Sequence, residues 1–438
     1  MDKQRGMAPY HKVKIVDVYI WGRIAGQIIL DPILNFFSFT YSDSFLKRHI
    51  SLSPISMPID TSDKSFVFTN LPESTFFRLP AMIADSLSEN LDDSALIEFL
   101  NDFDITIGDI SPLDRLVHAG SKSLGALEFK NRSDLLSARP SILNFGKYSL
   151  NLRGAILGTF SNDNQIYKTL SNLIAIGHLA GGSRAKTLIA LNKKTCEVRS
   201  GQVKTPRNFE QWILKFDGLN LDQHLAASQD FGRIEFVYYQ MARDAGIDIS
   251  DSRLLNENGR AHFMTKRFNR GKNNIKYHVQ TLCAMNHVNF KDTGINSYEK
   301  LFVTAQMLHL EHPAFVELFR RMVFNILANN CDDHAKNIAF LLKEGGLWEL
   351  APAYDITFAY NPDGKWTHQH QMSINGKFGG ISRGDLETIA NSFEISEARD
   401  IIEAVQTSIR KWSSLSRVSG ITPSEVRRIR KTFPVLLH

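Results

Sequence analysis

The chain has 438 residues, 43% of them hydrophobic and 22% charged, with a formal net charge of +5. That length allows two or three domains of ordinary globular composition, and so small a basic excess does not by itself imply nucleic-acid binding. Three scattered cysteines, Cys196, Cys283 and Cys331, form neither a disulfide framework nor a zinc spacing, and no apolar run approaches the ~18 residues of a membrane span. In chain order, residues 13–16 and 28–30 alternate as strands about a turn near Gly22, and 37–41 repeats the period-two pattern. This predicts a small β-rich opening unit. Leu79, Ile83, Leu87, Leu96, Ile97 and Leu100 recur at helical spacing. Pro112 opens a helix at 112–116, Gly120 and Gly125 bracket a loop, and a boundary is expected between about 130 and 150.

The next unit begins with a helix over 165–178, followed by the pair Gly181-Gly182. Strands are predicted at 187–191 and 212–216. Ile234, Val237, Tyr238, Met241 and Ala245 make a helical stripe ended by Gly246, and 263–268 returns to strand. Strand, strand, helix, strand suits a nucleotide-binding lobe. From about residue 275 the pattern is mostly helical. Phe315, Phe319, Met322, Val323, Ile326 and Leu327 form an amphipathic helix that ends at Asn329-Asn330. Beyond it, 338–342 and 347–350 read as a hairpin turning at Gly345-Gly346.

Just before that hairpin stands Asn329-Asn330-Cys331-Asp332-Asp333-His334-Ala335-Lys336-Asn337, and Asp355 follows eighteen residues later. An aspartate, an asparagine five positions on and a distant aspartate make the acid set of phosphoryl-transfer enzymes. One carboxylate accepts the proton of the attacking hydroxyl, while the asparagine and the second aspartate hold Mg²⁺ against the phosphates. The hairpin should carry the chain around Asp355 back opposite His334 and Asn337. Taken singly, such residues more often cap helices and shape turns. Taken together, and closed by a hairpin, they predict a kinase site.

Other features are less specific. Gly181-Gly182, with Ser183, Arg184, Ala185 and Lys186 after it, offers bare amides and cations to phosphate oxygens. It is not a Walker A loop, because Ala185 stands where that pattern needs glycine. Lys215 lies on the strand face opposite Leu214 and Phe216, where it either meets solvent or reaches a phosphate. Glu235, on the following helix, either pairs with it or belongs to a solvated face. His309 and His312 lack the spacing of a helical zinc site, and His368 and His370 alternate as two exposed strand residues would. Thr422-Pro423-Ser424-Glu425 is a capping signal. It precedes a charged helix face of Arg427, Arg428, Arg430 and Lys431.

Together these segments resemble the HipA family, the kinase toxins of bacterial toxin–antitoxin pairs, over nearly the whole chain. Residues 18–26 (VYIWGRIAG) and 51–54 (SLSP) are similar to that family's N-terminal subdomain, as are 79–87, 112–116 and 125–128. Arg267-Phe268-Asn269-Arg270 resembles the family's Arg-Phe-Asp-Arg, and Asp332 to Asn337 and Ala351-Pro352-Ala353-Tyr354-Asp355 are close to its forms. The Asp-x-His-x-x-Asn pattern is also similar to that of the phosphatidylinositol kinases. The resemblance implies an α+β fold. A β-rich HipA-type N-terminal subdomain (1–140) would precede a two-lobed, protein-kinase-like core. That core would hold an N-lobe with a Gly-rich phosphate loop (141–270) and an all-helical C-lobe carrying the catalytic hairpin (271–438).

It further implies ATP and Mg²⁺ as cofactors, Asp332 as catalytic base, and Asn337 and Asp355 as metal ligands. Gly181, Gly182, Ser183, Arg184, Ala185 and Lys186 would form the phosphate loop, and Lys215 would contact the phosphates. The backbone of Lys266, Arg267 and Phe268 would hold adenine, with His334, Lys336 and Tyr354 completing the nucleotide side. Family members often autophosphorylate a serine just before the glycine pair. Leu179 stands there, and Ser183 is the nearest hydroxyl in the loop. The family transfers phosphate to protein serine or threonine. Known members inactivate an aminoacyl-tRNA synthetase, arrest growth and bind a small helix-turn-helix antitoxin (HipB-like) that brings the pair to operator DNA. A cytoplasmic protein with no membrane contact is expected. Two other functions stay open: a co-repressor whose kinase has become secondary, and a small-molecule kinase.

Overall fold

The computed structural model describes residues 11–60, 62–87, 100, 105–133, 158–159, 162–175, 185–201, 205–218 and 229–434. The opening alternation folds as expected. Strands β1 (Ile15–Ile20) and β2 (Arg23–Leu30) pair antiparallel. Between them Trp21 and Gly22 both take positive φ, 49° and 76°, as a two-residue hairpin turn requires. With β3 (Phe37–Tyr41), β4 (Ser65–Phe66) and β5 (Leu127–Asn131) they make a five-stranded sheet ordered β4-β3-β2-β1-β5. Pro112 begins the helix Pro112–Ala119, capped by Ser111 and Asp114 in a reciprocal box. Of the helical stripe read over 79–100, the single turn Ala81–Ala84 forms; most of its remainder, like most of the 130–150 boundary, lies outside the described residues.

The second sheet contains β6 (Gly158–Thr159), β7 (Lys186–Asn192), β8 (Glu197–Ser200), β9 (Glu210–Lys215), β10 (Ser252–Glu257) and β11 (Arg260–Lys266), ordered β10-β11-β9-β7-β8-β6. Alternation along β9 sorts its two faces. Trp212, Leu214 and Phe216 join a core with Ile166, Leu170, Ile189 and Met264, partly supplied by the helix Asp163–Ala175. Lys215 takes the other face. The helix Phe231–Asp244 packs against β11, and its approach is close at Gly232, where a Cβ would stand 1.9 Å from the Ala261 carbonyl oxygen. Only glycine allows that contact.

The remainder is mainly helical, with more strand than the hairpin alone. β12 (His278–Thr281), β13 (Asn296–Ser297), β14 (Ala339–Leu342), β15 (Trp348–Leu350) and β16 (Met372–Ser373) lie here. The foreseen hairpin is β14–β15, and β12 adds to its outer edge as a third strand. The helices Tyr298–Met307, His312–Leu327, Arg383–Ser392, Ala398–Arg410, Trp412–Val418 and Pro423–Arg430 surround it. Their buried residues, among them Phe319, Met322 and Phe324, are continuous with the core of the first sheet, including Val16, Ile28 and Phe39. At the last helix the capping signal is realised only in part. Pro423 occupies the first turn, but the Thr422 side chain caps nothing, and its N–H donates instead to Asp230 at 3.0 Å. Among the described residues no helix is long and apolar enough to cross a membrane.

Candidate active site

The site begins where the helix His312–Leu327 stops. Asn329 takes a left-handed φ of 50° and turns the chain into an extended segment that ends in the 3-10 turn Ala335–Asn337. This loop closes on itself: the Asn337 side-chain amide donates to the Asp332 carbonyl at 2.7 Å, and the Asn337 N–H to the His334 carbonyl at 2.8 Å. Asp332 and Asn337 are thereby set side by side. Beyond β14 and β15, the Tyr354 hydroxyl donates to the Lys336 carbonyl at 2.6 Å. The returning chain is thus fastened to the loop one residue before Asp355, which itself has φ 53°. The meeting of Asp355 with the His334–Asn337 loop, expected from the hairpin, is observed.

The second sheet supplies the cations. The Lys215 ammonium donates to Glu235 at 2.6 Å and also to the Asp355 carboxylate, and its side chain is only 12% exposed. Lys215 therefore faces neither open solvent nor an isolated pocket; it joins the two halves of the site. Lys186 stands directly opposite it across the β7–β9 pair. Burial opposes the Lys215 charge, but the Asp355 and Glu235 carboxylates outweigh it and raise its pKa. Burial likewise opposes the charge on Asp355. Lys215 and Lys186 win, holding that carboxyl well below the usual range. Asp332 is shifted the opposite way. Burial raises it, as do the Asp355 and Asp333 charges, against the pull of His334 and Lys215. His334 Nε2 lies 3.6 Å from Asp332 Oδ1.

At the end of β11 the side chains of Lys266 and Arg267 are engaged within the protein. The Lys266 ammonium pairs with Glu210 at 2.8 Å. The Arg267 guanidinium is buried and donates to the Leu124 carbonyl at 3.3 Å and to Asn269 Oδ1 at 3.2 Å. Their backbone N–H groups are also committed, to Asp251 and Gln211 respectively. Phe268 differs: its ring lies 5.4 Å from that of Tyr354, and with Tyr277 the two cover an apolar patch of Val279, Ala339, Leu341 and Ala351. In the loop, Lys336 lays its ammonium 4.7 Å over the Phe290 ring, which is 5.2 Å from His334. Of the expected phosphate loop, Gly181, Gly182, Ser183 and Arg184 lie outside the described residues. Ala185 accepts from the Phe216 N–H at 3.0 Å, and Lys186 opens β7.

One sequence expectation is overturned here. His370 is not an exposed strand residue but is 4% exposed. Its Nδ1 lies 3.0 Å from Asp333 Oδ2. Burial disfavours the imidazolium, yet the Asp333 carboxylate prevails and pushes His370 up to about 10. Asp333 itself was missed as a site residue, as was Phe290. Asp333 is met by Tyr298, His370 and Gln371, 35 to 38 positions away, and Phe290 by His334 and Lys336 of the distant loop; no local pattern reports such pairings.

Comparison with protein families accounts for most of the chain. The HipA-like C-terminal domain matches residues 179–412 and the HipA N-terminal domain matches 16–130. The chain belongs to the HipA family. Its fold is also that of a solved HipA: a chain of the Shewanella oneidensis MR-1 toxin–antitoxin complex of HipA, HipB and operator DNA aligns with TM-score 0.64. The alignment spans 95% of this chain and 94% of that one at 16% identity, a likeness of fold alone. The Helicobacter pylori proinflammatory kinase CtkA aligns over 51% of this chain and 92% of its own, at 13% identity and TM-score 0.30, too low to carry an argument. No curated protein matches. Within this HipA-family chain, the two matched regions cover almost all of the first sheet, the whole of the loop and hairpin, and the second sheet except β6.

Proposed function

We propose that this HipA-family protein is an ATP- and Mg²⁺-dependent serine/threonine protein kinase, the toxin of a toxin–antitoxin pair. The observation that carries the reading is the convergence of Asp332, Asn337 and Asp355, from two sides of a hairpin, upon the Lys215–Glu235 pair of a separate sheet. Such a set can orient a nucleotide, take a proton and compensate phosphate charge, which is most of what phosphoryl transfer asks of a protein.

The roles follow from the atoms. Asp332 accepts the proton of the attacking serine or threonine hydroxyl as the γ-phosphoryl group passes from ATP to that oxygen. Asn337 and Asp355 would hold Mg²⁺. Both offer hard oxygen donors, and because the Asn337 amide nitrogen is engaged by Asp332, its Oδ1 is the atom left to face a cation. Among the described residues no group of three or more His, Cys, Asp or Glu could hold a metal, so phosphate oxygens and water would complete the shell. Bound Mg²⁺ would neutralise phosphate charge. Lys215 and Lys186 would meet phosphate oxygens, together with the loop Gly181, Gly182, Ser183, Arg184 and Ala185, where Ser183 is the candidate autophosphorylation residue. The Phe268–Tyr354 patch suits a purine face. Since the N–H groups of Lys266 and Arg267 are already donated, adenine would use the backbone at Phe268 or the carbonyls of Lys266 and Arg267. His334 and Lys336 would border the phosphates.

By family likeness the protein substrate would be a translation protein such as an aminoacyl-tRNA synthetase, and its modification would arrest growth in the cytoplasm. The subdomain limits 1–140, 141–270 and 271–438 are part of the same proposal. The Shewanella oneidensis HipA is solved with HipB and operator DNA; this supports a HipB-like helix-turn-helix antitoxin as partner here, with DNA reached through it. The same complex favours a second reading, a co-repressor whose kinase is secondary. Mass spectrometry separates the two. Wild type and Asp332→Ala are incubated with Mg²⁺-ATP, alone and with cell lysate. Phosphate on a protein serine or threonine with wild type only is the expected result. Equal modification by both proteins, or none by either, would overturn the kinase.

A further inference from the structure

The loop that carries Asp332 turns three of its four successive side chains inward. Asn330 donates to Asn325 Oδ1 at 2.9 Å, and Asn325 donates to the Tyr298 hydroxyl at 3.0 Å. Tyr298 in turn donates to Asp333 Oδ2 at 2.8 Å. The same carboxylate takes His370 Nδ1 at 3.0 Å and the Gln371 N–H, through Oδ1, at 2.7 Å. Cys331 Sγ lies 3.9 Å from the other nitrogen of that imidazole. Only Asp332 points outward, with a side chain 47% exposed. A buried carboxylate is costly unless its lone pairs are filled, and here three donors from two separate parts of the chain fill them. From Cys331 to Asp333 the side chains alternate inward, outward, inward, as in an extended segment, so fixing the Asp333 side chain inward fixes Asp332 outward. It also fixes the Asp332 carbonyl, to which Asn337 is bonded at 2.7 Å.

We infer that Asp333 is the positioning residue of the transfer site, its carboxylate clamped by His370, Tyr298 and Gln371 so that the adjoining backbone presents Asp332 and Asn337. The inference rests on the kinase reading. The Asp333 side chain is fully buried, so it would act through the backbone geometry of its neighbours rather than by touching nucleotide or acceptor. Misplacing a reacting group by about 1 Å can cost on the order of 10²-fold in rate, so the effect belongs in kcat.

The test uses the full chain with Mg²⁺-ATP labelled at the γ-phosphate and cell lysate as the source of acceptor hydroxyls, reading label transferred to protein, and a fluorescent ATP analogue to count nucleotide sites. Asp333→Asn and His370→Gln should each lower kcat by about 10–100-fold, leave the KM for ATP within about twofold, and keep one analogue site per chain. Because the two residues act as one unit, the double variant should fall no further than the worse single. Tyr298→Phe, which keeps its ring in the core and loses one donor, should fall by about 3–10-fold with the same unchanged KM. Rates within twofold of wild type in Asp333→Asn and His370→Gln would overturn the inference. So would a loss of kcat matched by a loss of analogue sites, which is the mark of a merely structural role. Asp332→Ala separates the two levels: if it is inactive while Asp333→Asn is not, only the positioning role fails. If Asp332→Ala matches wild type, or wild type transfers no label to protein, the kinase reading fails and the inference with it.

Discussion

The Lys215 ammonium lies 2.6 Å from the carboxylate of Glu235, whose side chain is only 2% exposed. The pair bridges β9 and the helix Phe231–Asp244, and through Asp355 it reaches the hairpin. A buried carboxylate with no cation is expensive, and removing one partner of such a pair typically costs about 3–5 kcal/mol. Lys215→Met is therefore expected to lower unfolding stability in urea by that order. Glu235→Gln, which leaves Lys215 its Asp355 partner, should cost clearly less. Equal losses in the two variants would show that Glu235 does not depend on Lys215.

The Asp333–His370 pair makes stability depend on pH. The His370 pKa is raised to about 10 from an unfolded value near 6.5. In the folded state the imidazole keeps its proton where the unfolded chain has lost it. Its contribution is fully present below about pH 6.5 and is lost as pH rises toward about 10, at no more than about 1.4 kcal/mol per unit. Urea midpoints measured between pH 6.5 and 9.5 should fall more steeply in wild type than in His370→Gln. Parallel curves would rule the linkage out.

At Gly232 the Cβ of an alanine would lie 1.9 Å from the Ala261 carbonyl oxygen. The helix Phe231–Asp244 would have to lift from β11 and carry Glu235 with it. Gly232→Ala is expected to destabilise the protein by about 1–3 kcal/mol, read as a lower Tm. It should also lower kcat through the displaced Glu235. A variant with wild-type Tm and kcat would mean that the helix can shift without cost.

Phe268 and Tyr354 together offer the apolar face proposed for adenine. Phe268→Ala should raise the KM for ATP by about 10-fold, the scale of one lost aromatic contact, with a smaller effect on kcat. Tyr354→Phe keeps the ring and loses only its bond to the Lys336 carbonyl, so it should leave that KM nearly unchanged while costing about 1 kcal/mol of stability. The contrast between the two variants in ATP titrations is the check.

Much of the site was legible because its signals are local. Asp332 and Asn337 sit five residues apart and their loop closes on itself, so residue type and spacing were enough. The β14–β15 hairpin announced itself through Gly345-Gly346, and its antiparallel return was sufficient to place Asp355 beside the loop. Alternation along β9 separated Lys215 from Trp212 and Leu214. It could not tell what covers the Lys215 face, and solvent and a phosphate stayed equally open.

The sequence by itself determined the opening strands, the helix that ends before Asn329-Asn330, and the spacing and hairpin that bring Asp355 to Asn337, since period, turn chemistry and short spacing are properties of neighbouring residues; the added strands β12, β13 and β16 it did not show. Tertiary structure alone decided which charges were buried and with whom. Lys215 meets Asp355 across 140 residues, His370 meets Asp333 across 37, and Arg267 meets the Leu124 carbonyl across 143. A charge can leave water only where a partner waits, and that partner's identity is settled by packing between distant segments, which no local pattern encodes.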